Sequence, residues 1–403
     1  MYDGYLSLGG REILNRARAA TYLQRFLPQV DVVCADEELA GALGHSGYTS
    51  PDLDGAPWYK AGRVASGRFL GVFPGKVEGA EGSTRQVTVT ELSGNGAILT
   101  SPRHGSKEMR YVGTAFALDE EAMTEGMAWL KEVLSNDGCS DTDLGCTGRD
   151  AVMFAALPKD AVAAYGLRRN FFRVEATEGP LPTKKFSVKG FVMWQIEFTL
   201  TAGIPWAFTS PHDVATLNMD DGSWNFQDPA GENCGAALNA YDEFIDDPYY
   251  TAISRPPRPP VILPPNILDI NSWRRRTAPI PVSQTQRWGR VAPVVRIATE
   301  NAVQFLRIRF YRKDVVHSCD YDGEFLVSYI PATAVLTLDS VRREASVTLS
   351  DGRVVPAGNL LFGSDGTPFT WPTLGCQRDY WVAVDLMPSQ PGVVVMLETS
   401  VRD

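Results

Sequence analysis

Apolar residues recur along this chain mostly at the period of a strand. Between Gly190 and Leu200, Phe191, Met193, Gln195 and Glu197 alternate with Val192, Trp194, Ile196 and Phe198, and only the second set is uniformly apolar. That is the pattern of a strand with one face on a core. Shorter β segments of the same kind, β-branched or aromatic and bounded by turns, are predicted at Tyr2–Leu8, Gly67–Pro74, Gln86–Leu92, Met109–Leu118, Ala151–Leu157 and Phe171–Glu175. Beyond residue 284 the pattern is purely β: Val291–Thr299, Ala302–Tyr311, Glu324–Ile330, Thr333–Leu338, Ala345–Leu349, Tyr380–Leu386 and Gly392–Glu398. About seven strands in roughly 110 residues is the spacing of a β-sandwich or jelly roll.

Two stretches have helical periodicity instead. From Arg11 to Phe26, Ile13, Ala17, Ala20, Tyr22, Leu23 and Phe26 recur with arginines between them and Pro28 as the stop. This predicts an amphipathic helix with a basic exposed side. Asp119 is placed to cap a second helix, with Glu120 and Glu121 in its first turn, where the helix dipole favours acids. Met123, Met127, Leu130 and Leu134 form one stripe along it, best explained by core packing.

The prolines divide the chain. Arg255 to Pro265 reads RPPRPPVILPP and continues through Trp273, Arg274, Arg275, Arg276, Pro279 and Pro281. Proline fixes φ and donates no hydrogen bond, so the run can be neither helix nor central strand. As polyproline II, Arg255 to Pro265 would span roughly 30 Å. The chain is therefore read as an N-terminal domain over 1–250, an extended Pro/Arg-rich linker over 251–283 and a C-terminal domain over 284–403. The irregular stretch Ala35–Lys60, with Trp58 and Tyr59, is read as an arm reaching another chain, against the plainer reading of a surface loop. The fold class expected is mainly β with a few helices: an α+β, β-sandwich-like N-terminal domain and a C-terminal β-sandwich or jelly roll.

Composition adds limits. The chain has 403 residues and a formal charge of −10, which disfavours unspecific capture of phosphate backbones. Arg255, Arg258, Arg274, Arg275 and Arg276 make a local basic patch facing one acid, Asp269, and are read as a linker surface that pairs with an acidic neighbouring subunit. No apolar run of about 18 residues predicts a membrane span, and the opening Met1-Tyr-Asp-Gly-Tyr is not a secretory signal. The chain is expected in the cytosol unless it leaves as part of a particle.

Candidate chemistry is sparse. The six cysteines are scattered without a CxxC pair and the four histidines do not complete a zinc set, so free thiols are expected. Neither GxSxG, HExxH, a Walker loop nor GxGxxG occurs. Asp137, Asp141 and Asp143 lack the order of a calcium loop. His317, Cys319, Asp320 and Asp322 suit a polar turn better than a metal or thiol site. Trp371, Tyr380 and Trp381 could stack on a sugar, although an aromatic core or a subunit contact is the plainer and preferred reading. No catalytic residue, metal or cofactor is expected.

Several motifs occur in order over nearly the whole length: Leu8-Gly-Gly-Arg-Glu-Ile-Leu-Asn15, Met127-Ala-Trp-Leu-Lys-Glu-Val-Leu134, Arg168-Arg-Asn-Phe-Phe-Arg-Val-Glu-Ala-Thr-Glu-Gly-Pro180, Phe198-Thr-Leu-Thr-Ala-Gly-Ile-Pro205, Arg255-Pro-Pro-Arg-Pro-Pro260, Phe325-Leu-Val-Ser-Tyr-Ile-Pro331 and Trp371-Pro-Thr-Leu-Gly-Cys376. With them the chain resembles the minor tail proteins of long-tailed actinobacteriophages, of the distal tail (Dit-like) group. The resemblance implies a structural virion protein at the tail tip, assembled in the host cytoplasm. Its N-terminal domain would form a homo-oligomeric ring, commonly hexameric, joining the tail tube protein to tip or baseplate proteins, with DNA only as a transiting genome. The outer domain would be galectin-like or carbohydrate-binding-like, and the alternative function is contact with a cell-wall glycan. Interface residues expected on this reading are Trp58, Tyr59, Arg255, Arg258, Trp273, Arg274, Arg275 and Arg276, and glycan contacts are Trp371, Tyr380 and Trp381.

Overall fold

The computed structural model describes residues 4–28, 37–45, 47–82, 85–93, 95–100, 103–135, 148–154, 167–188, 190–220, 274–281, 289–313, 321–363, 369–375, 378–386 and 390–402. The chain divides into two compact units, Met1–Ser210 and Pro211–Asp403. Both are built mainly of antiparallel strands, with few helices, as the alternation predicts.

The first unit opens on a hairpin, β1 (Tyr5–Leu8) and β2 (Arg11–Asn15). Leu8 pairs with Arg11 around Gly9 and Gly10, whose φ values of 58° and 75° suit a two-residue turn. The helix expected from Arg11 therefore starts five residues later, as α1 (Arg16–Phe26). Asn15 supplies the reason: it ends β2, and its Oδ1 accepts from the Arg18 N–H at 3.1 Å, capping the helix. The expected basic exposed side holds for Arg25 but not for Arg18, which is buried and donates to Glu12 and Tyr22.

Next come α2 (Glu37–Ala42), α3 (Val64–Arg68) and β3 (Phe69–Glu78). Four short strands follow: β4 (Arg85–Gln86), β5 (Val89–Glu91), β6 (Ala97–Leu99) and β7 (Arg103–His104). The unit continues with β8 (Lys107–Ala117), α4 (Glu120–Ser135), β9 (Arg149–Phe154), β10 (Arg168–Val188) and β11 (Phe191–Ala202). The main sheet runs β2-β1-β9-β10-β11-β8-β3. It curls, since β2 and β3, at opposite ends of this order, lie against one another.

Helix α4 packs on the curled sheet. Asp119 Oδ1 accepts from the Ala122 N–H at 2.9 Å, and Met123, Met127, Leu130 and Leu134 are all buried, as the stripe predicts. Each such side chain contributes about 1.5–3 kcal/mol by leaving water. Its far end is held by β9, where Arg149 donates to the carbonyls of Val133 and Leu134 at 2.7 and 3.0 Å.

The second unit contains β12 (His212–Asn218), β13 (Arg274–Ile280), β14 (Arg290–Thr299), β15 (Val303–Arg312), β16 (Tyr321–Ile330), β17 (Ala334–Asp339), β18 (Glu344–Thr348), β19 (Val354–Pro356), β20 (Leu361–Phe362), β21 (Tyr380–Leu386) and β22 (Val393–Arg402). One sheet runs β12-β22-β14-β17-β18-β19 and the other β13-β21-β15-β16-β20. A shared core of Ile297, Ile308, Phe310, Leu336, Val384 and Val395 closes the sandwich. The seven strands expected after residue 284 are all present. Residues 212–218, read as part of the first domain, and 274–280, read as linker, are strands here, because they pair with β22 and β21 respectively.

Candidate assembly surfaces

The stretch read as an arm lies on its own unit. Leu39, Ala40, Ala42, Tyr48, Ala56 and Trp58 are buried in the first unit's core. Tyr48 accepts from Asn15 Nδ2 at 2.9 Å, and Tyr22 donates to Asp54 Oδ2 at 2.8 Å, which ties the stretch to α1. Burial, reinforced by Glu12, pushes the Tyr48 hydroxyl up to about 12. The indole of Trp58 meets Tyr22, Phe69 and Trp129 edge-on and donates to the Phe69 carbonyl at 2.9 Å. This corrects the expectation that Trp58 reaches another chain: it finds its aromatic neighbours and its acceptor at home. Tyr59 beside it stays half-buried.

Gly71 allows Trp58 to sit there. Its φ is +98°, and a Cβ at that point would lie 2.6 Å from the indole. Gly71→Ala is expected to cost about 1–3 kcal/mol through backbone strain and overpacking, read as a lower thermal midpoint with an unchanged circular dichroism spectrum at 20–25 °C; an unchanged midpoint would contradict this packing.

Of the basic patch, Arg255, Arg258 and Trp273, together with the proline run itself, lie outside the described residues. Arg274, Arg275 and Arg276 begin β13, paired with β21. Arg274 meets Asp220 at 3.4 Å. The Arg275 side chain is fully buried and grips Asp385, with Nε to Oδ1 at 2.6 Å and Nη2 to Oδ2 at 3.2 Å. Arg307 adds a bond from Nε to Asp385 Oδ2 at 2.8 Å. Burial alone would raise the Asp385 pKa, but Arg307 and Arg275 outweigh it and hold the carboxyl below its ordinary range. Arg275, expected on an interface, thus pairs within its own chain, on the face of its sheet turned away from the sandwich core. Arg309 pairs with Glu324 in the same row. The alternation of Arg307 and Arg309 with Leu306, Ile308 and Phe310 in the sequence carries no signal that the arginine face is covered.

The three aromatics offered for glycan contact separate. Tyr380 is buried, and its hydroxyl donates to Asp322 Oδ2 at 2.7 Å and accepts from the Gly375 N–H. Burial, with the bond to Asp322, pushes that hydroxyl up to about 12. A ring so placed cannot stack on a sugar, which corrects that expectation. Trp371 is half-buried and packs edge-on to Phe325 and Phe369. Trp381 is half-buried opposite Pro279 and Tyr311. His317, Cys319, Asp320, the acids at 137–143 and all six cysteines lie outside the described residues.

Two surfaces that the sequence did not single out stand clear of either core. One is the hairpin finger formed by β4 to β7, whose described side chains from Arg85 to Arg103 are all exposed. The other is β10 beyond Glu175. Its inner edge pairs with β11 as far as Val188, whereas β9 accompanies it only to Val174. Among the described residues, no strand lies on the outer edge from Ala176 to Val188, and Thr177 to Gly179 and Leu181 to Ser187 are exposed.

No family model matches this chain, and no curated protein does. Among solved structures, it is similar to the Dit protein of phage SPP1, described as a paradigm of hub adsorption apparatus in Gram-positive infecting phages, at 10% identity and a TM-score of 0.42, over 84% of this chain and 96% of that one. A chain of the phage p2 baseplate in its activated conformation is similar at 7% identity and a TM-score of 0.41, over 82% and 90% of the two chains. The CBM2 module of an evolved Dit from Lactobacillus casei BL23 phage J-1 aligns at 12% identity and a TM-score of 0.16, over 32% of this chain and 67% of the module.

Proposed function

We propose that the chain is a structural protein of a phage tail tip, a homo-oligomeric ring that joins the tail tube to tip or baseplate proteins and performs no bond chemistry. The observation that carries this reading is the outer edge of β10, on which no strand lies among the described residues. Unpaired N–H and C=O groups on such an edge recruit other strands; Pro180, Pro182 and the register shifts blunt it as far as Pro182, and Lys184 to Val188 stays regular. An edge on one side of a subunit, met by a different surface of the next, is a heterologous contact, and repeated contacts of that kind close into rings. The order of tail-protein motifs along nearly the full length supports the same assignment. A ring threaded by the transiting genome would also suit a chain whose net charge is −10.

The test is mass photometry and negative-stain imaging of the purified full chain. Closed rings of uniform subunit number are expected. A strict monomer at tens of micromolar, with no association with tube or tip proteins, would overturn the assignment.

A further inference from the structure

The two exposed surfaces of the first unit complement one another, and the following inference rests on the ring reading above. On the finger, Val89, Ile98 and Leu99 are 54%, 59% and 64% exposed, and Val87 and Leu92 are exposed as well. Val89 pairs with Leu99 and Thr90 with Ile98, so both faces of this two-stranded hairpin carry apolar groups. An isolated pair of strands is marginal in water, and apolar groups gathered on a projecting element mark a contact site. The base is seated, with His104 against Trp206 at 5.4 Å and Lys107 Nζ donating to the Ala80 carbonyl.

The open edge of β10 is selective about what it can pair with. Pro180 and Pro182 donate no N–H, and the register with β11 shifts between Ala176 and Glu178, between Glu178 and Leu181, and between Pro182 and Lys184. From Lys184 to Val188 the pairing runs one to one, leaving a regular outer edge five residues long. Leu181 and Phe186 are exposed beside it, at 58% and 48%. Val87 to Glu91 of the finger matches that length, and Glu91 opposes the charge of Lys184 and Lys185.

We propose that the finger of one copy adds its segment Val87–Glu91, which contains β5, to the Lys184–Val188 edge of β10 in a second copy of this chain. The addition turns two strands into a four-stranded continuation of β11 and β10, and covers Val89 and Leu99 with Leu181 and Phe186. Because each copy offers a finger and an edge that differ, the contact passes from subunit to subunit.

The test uses two full-length variants altered only at exposed positions: a finger variant, Val89→Asp with Ile98→Asp, and an edge variant, Leu181→Asp with Phe186→Asp. Sedimentation velocity is expected to show oligomers for the unaltered chain and a monomer for each variant alone. An equimolar mixture is expected to give a 1:1 dimer, since one intact finger and one intact edge remain. Glu91→Lys is expected to weaken assembly at least 10-fold, and Lys184→Glu in the same chain to restore it. Variants that assemble like the unaltered chain, or a mixture that stays monomeric, would overturn this contact while leaving a ring formed by other surfaces intact. A monomeric unaltered chain would instead overturn the ring reading, and this contact with it.

Discussion

Asp385→Asn is expected to destabilise the second unit by about 3–5 kcal/mol, because it leaves two buried guanidinium groups facing a neutral amide. The Asp385 and Arg275 side chains are both 0% exposed, and Arg307 is 3% exposed, so water cannot replace the lost charge. The three residues sit side by side on β13, β21 and β15, and the damage should appear as faster hydrogen exchange of those strands while α4 and β8 in the first unit stay protected. Replacing all three together, by Arg275→Met, Asp385→Leu and Arg307→Met, should cost far less, since no charge is then stranded. If the single and triple replacements exchange alike, the cluster does not carry charge compensation.

The same cluster sets a pH dependence. The folded carboxyl takes its proton at lower pH than the unfolded one, whose pKa is about 3.9. The unfolded state therefore binds more protons as acid is added, and folding loses stability. The contribution is whole above the ordinary carboxylate range and drains away as the pH falls through it towards the folded value. Exchange in β13, β15 and β21 should accelerate on acidification more steeply in the unaltered chain than in the triple variant.

Trp58→Ala is expected to cost the first unit about 3–5 kcal/mol. The indole is 4% exposed and fills the space between Tyr22, Phe69 and Trp129. Its removal also strands the Phe69 carbonyl, so Trp58→Phe, which keeps most of the ring, should still lose about 1–3 kcal/mol. Limited proteolysis of the isolated chain is the useful readout, with cleavage between residues 47 and 60 rising in the alanine variant. An arm that served only another chain would behave otherwise: the isolated variant would melt and resist protease as before, and only assembly would suffer.

Much of the fold was legible because alternation and β-branched content act locally. The strands after residue 284 lie within a few residues of their predicted bounds, and the α4 cap and stripe appear where Asp119 and the Met and Leu spacing put them. What was not legible depended on partners distant in sequence. Ile13 fits a helical stripe as well as a strand, and only pairing with β1 decides between them. Trp58 in a Gly- and Pro-rich stretch looks like a free anchor until β3 and α4 close over it. Arg275 reads as an interface charge and Arg307 shows no sign of burial because their common acid, Asp385, lies 110 and 78 residues away in sequence. The finger and the open edge of β10 gave no compositional signal either, since exposed and buried strands use the same residue types.

Arg149 carries one more consequence. By holding the last carbonyls of α4 from the first residue of β9, it fastens the helix terminus to the sheet through a side chain instead of through the intervening backbone. The joint is therefore indifferent to how many residues connect its halves, and insertions between Ser135 and Gly148 should leave the seat of the helix end unchanged.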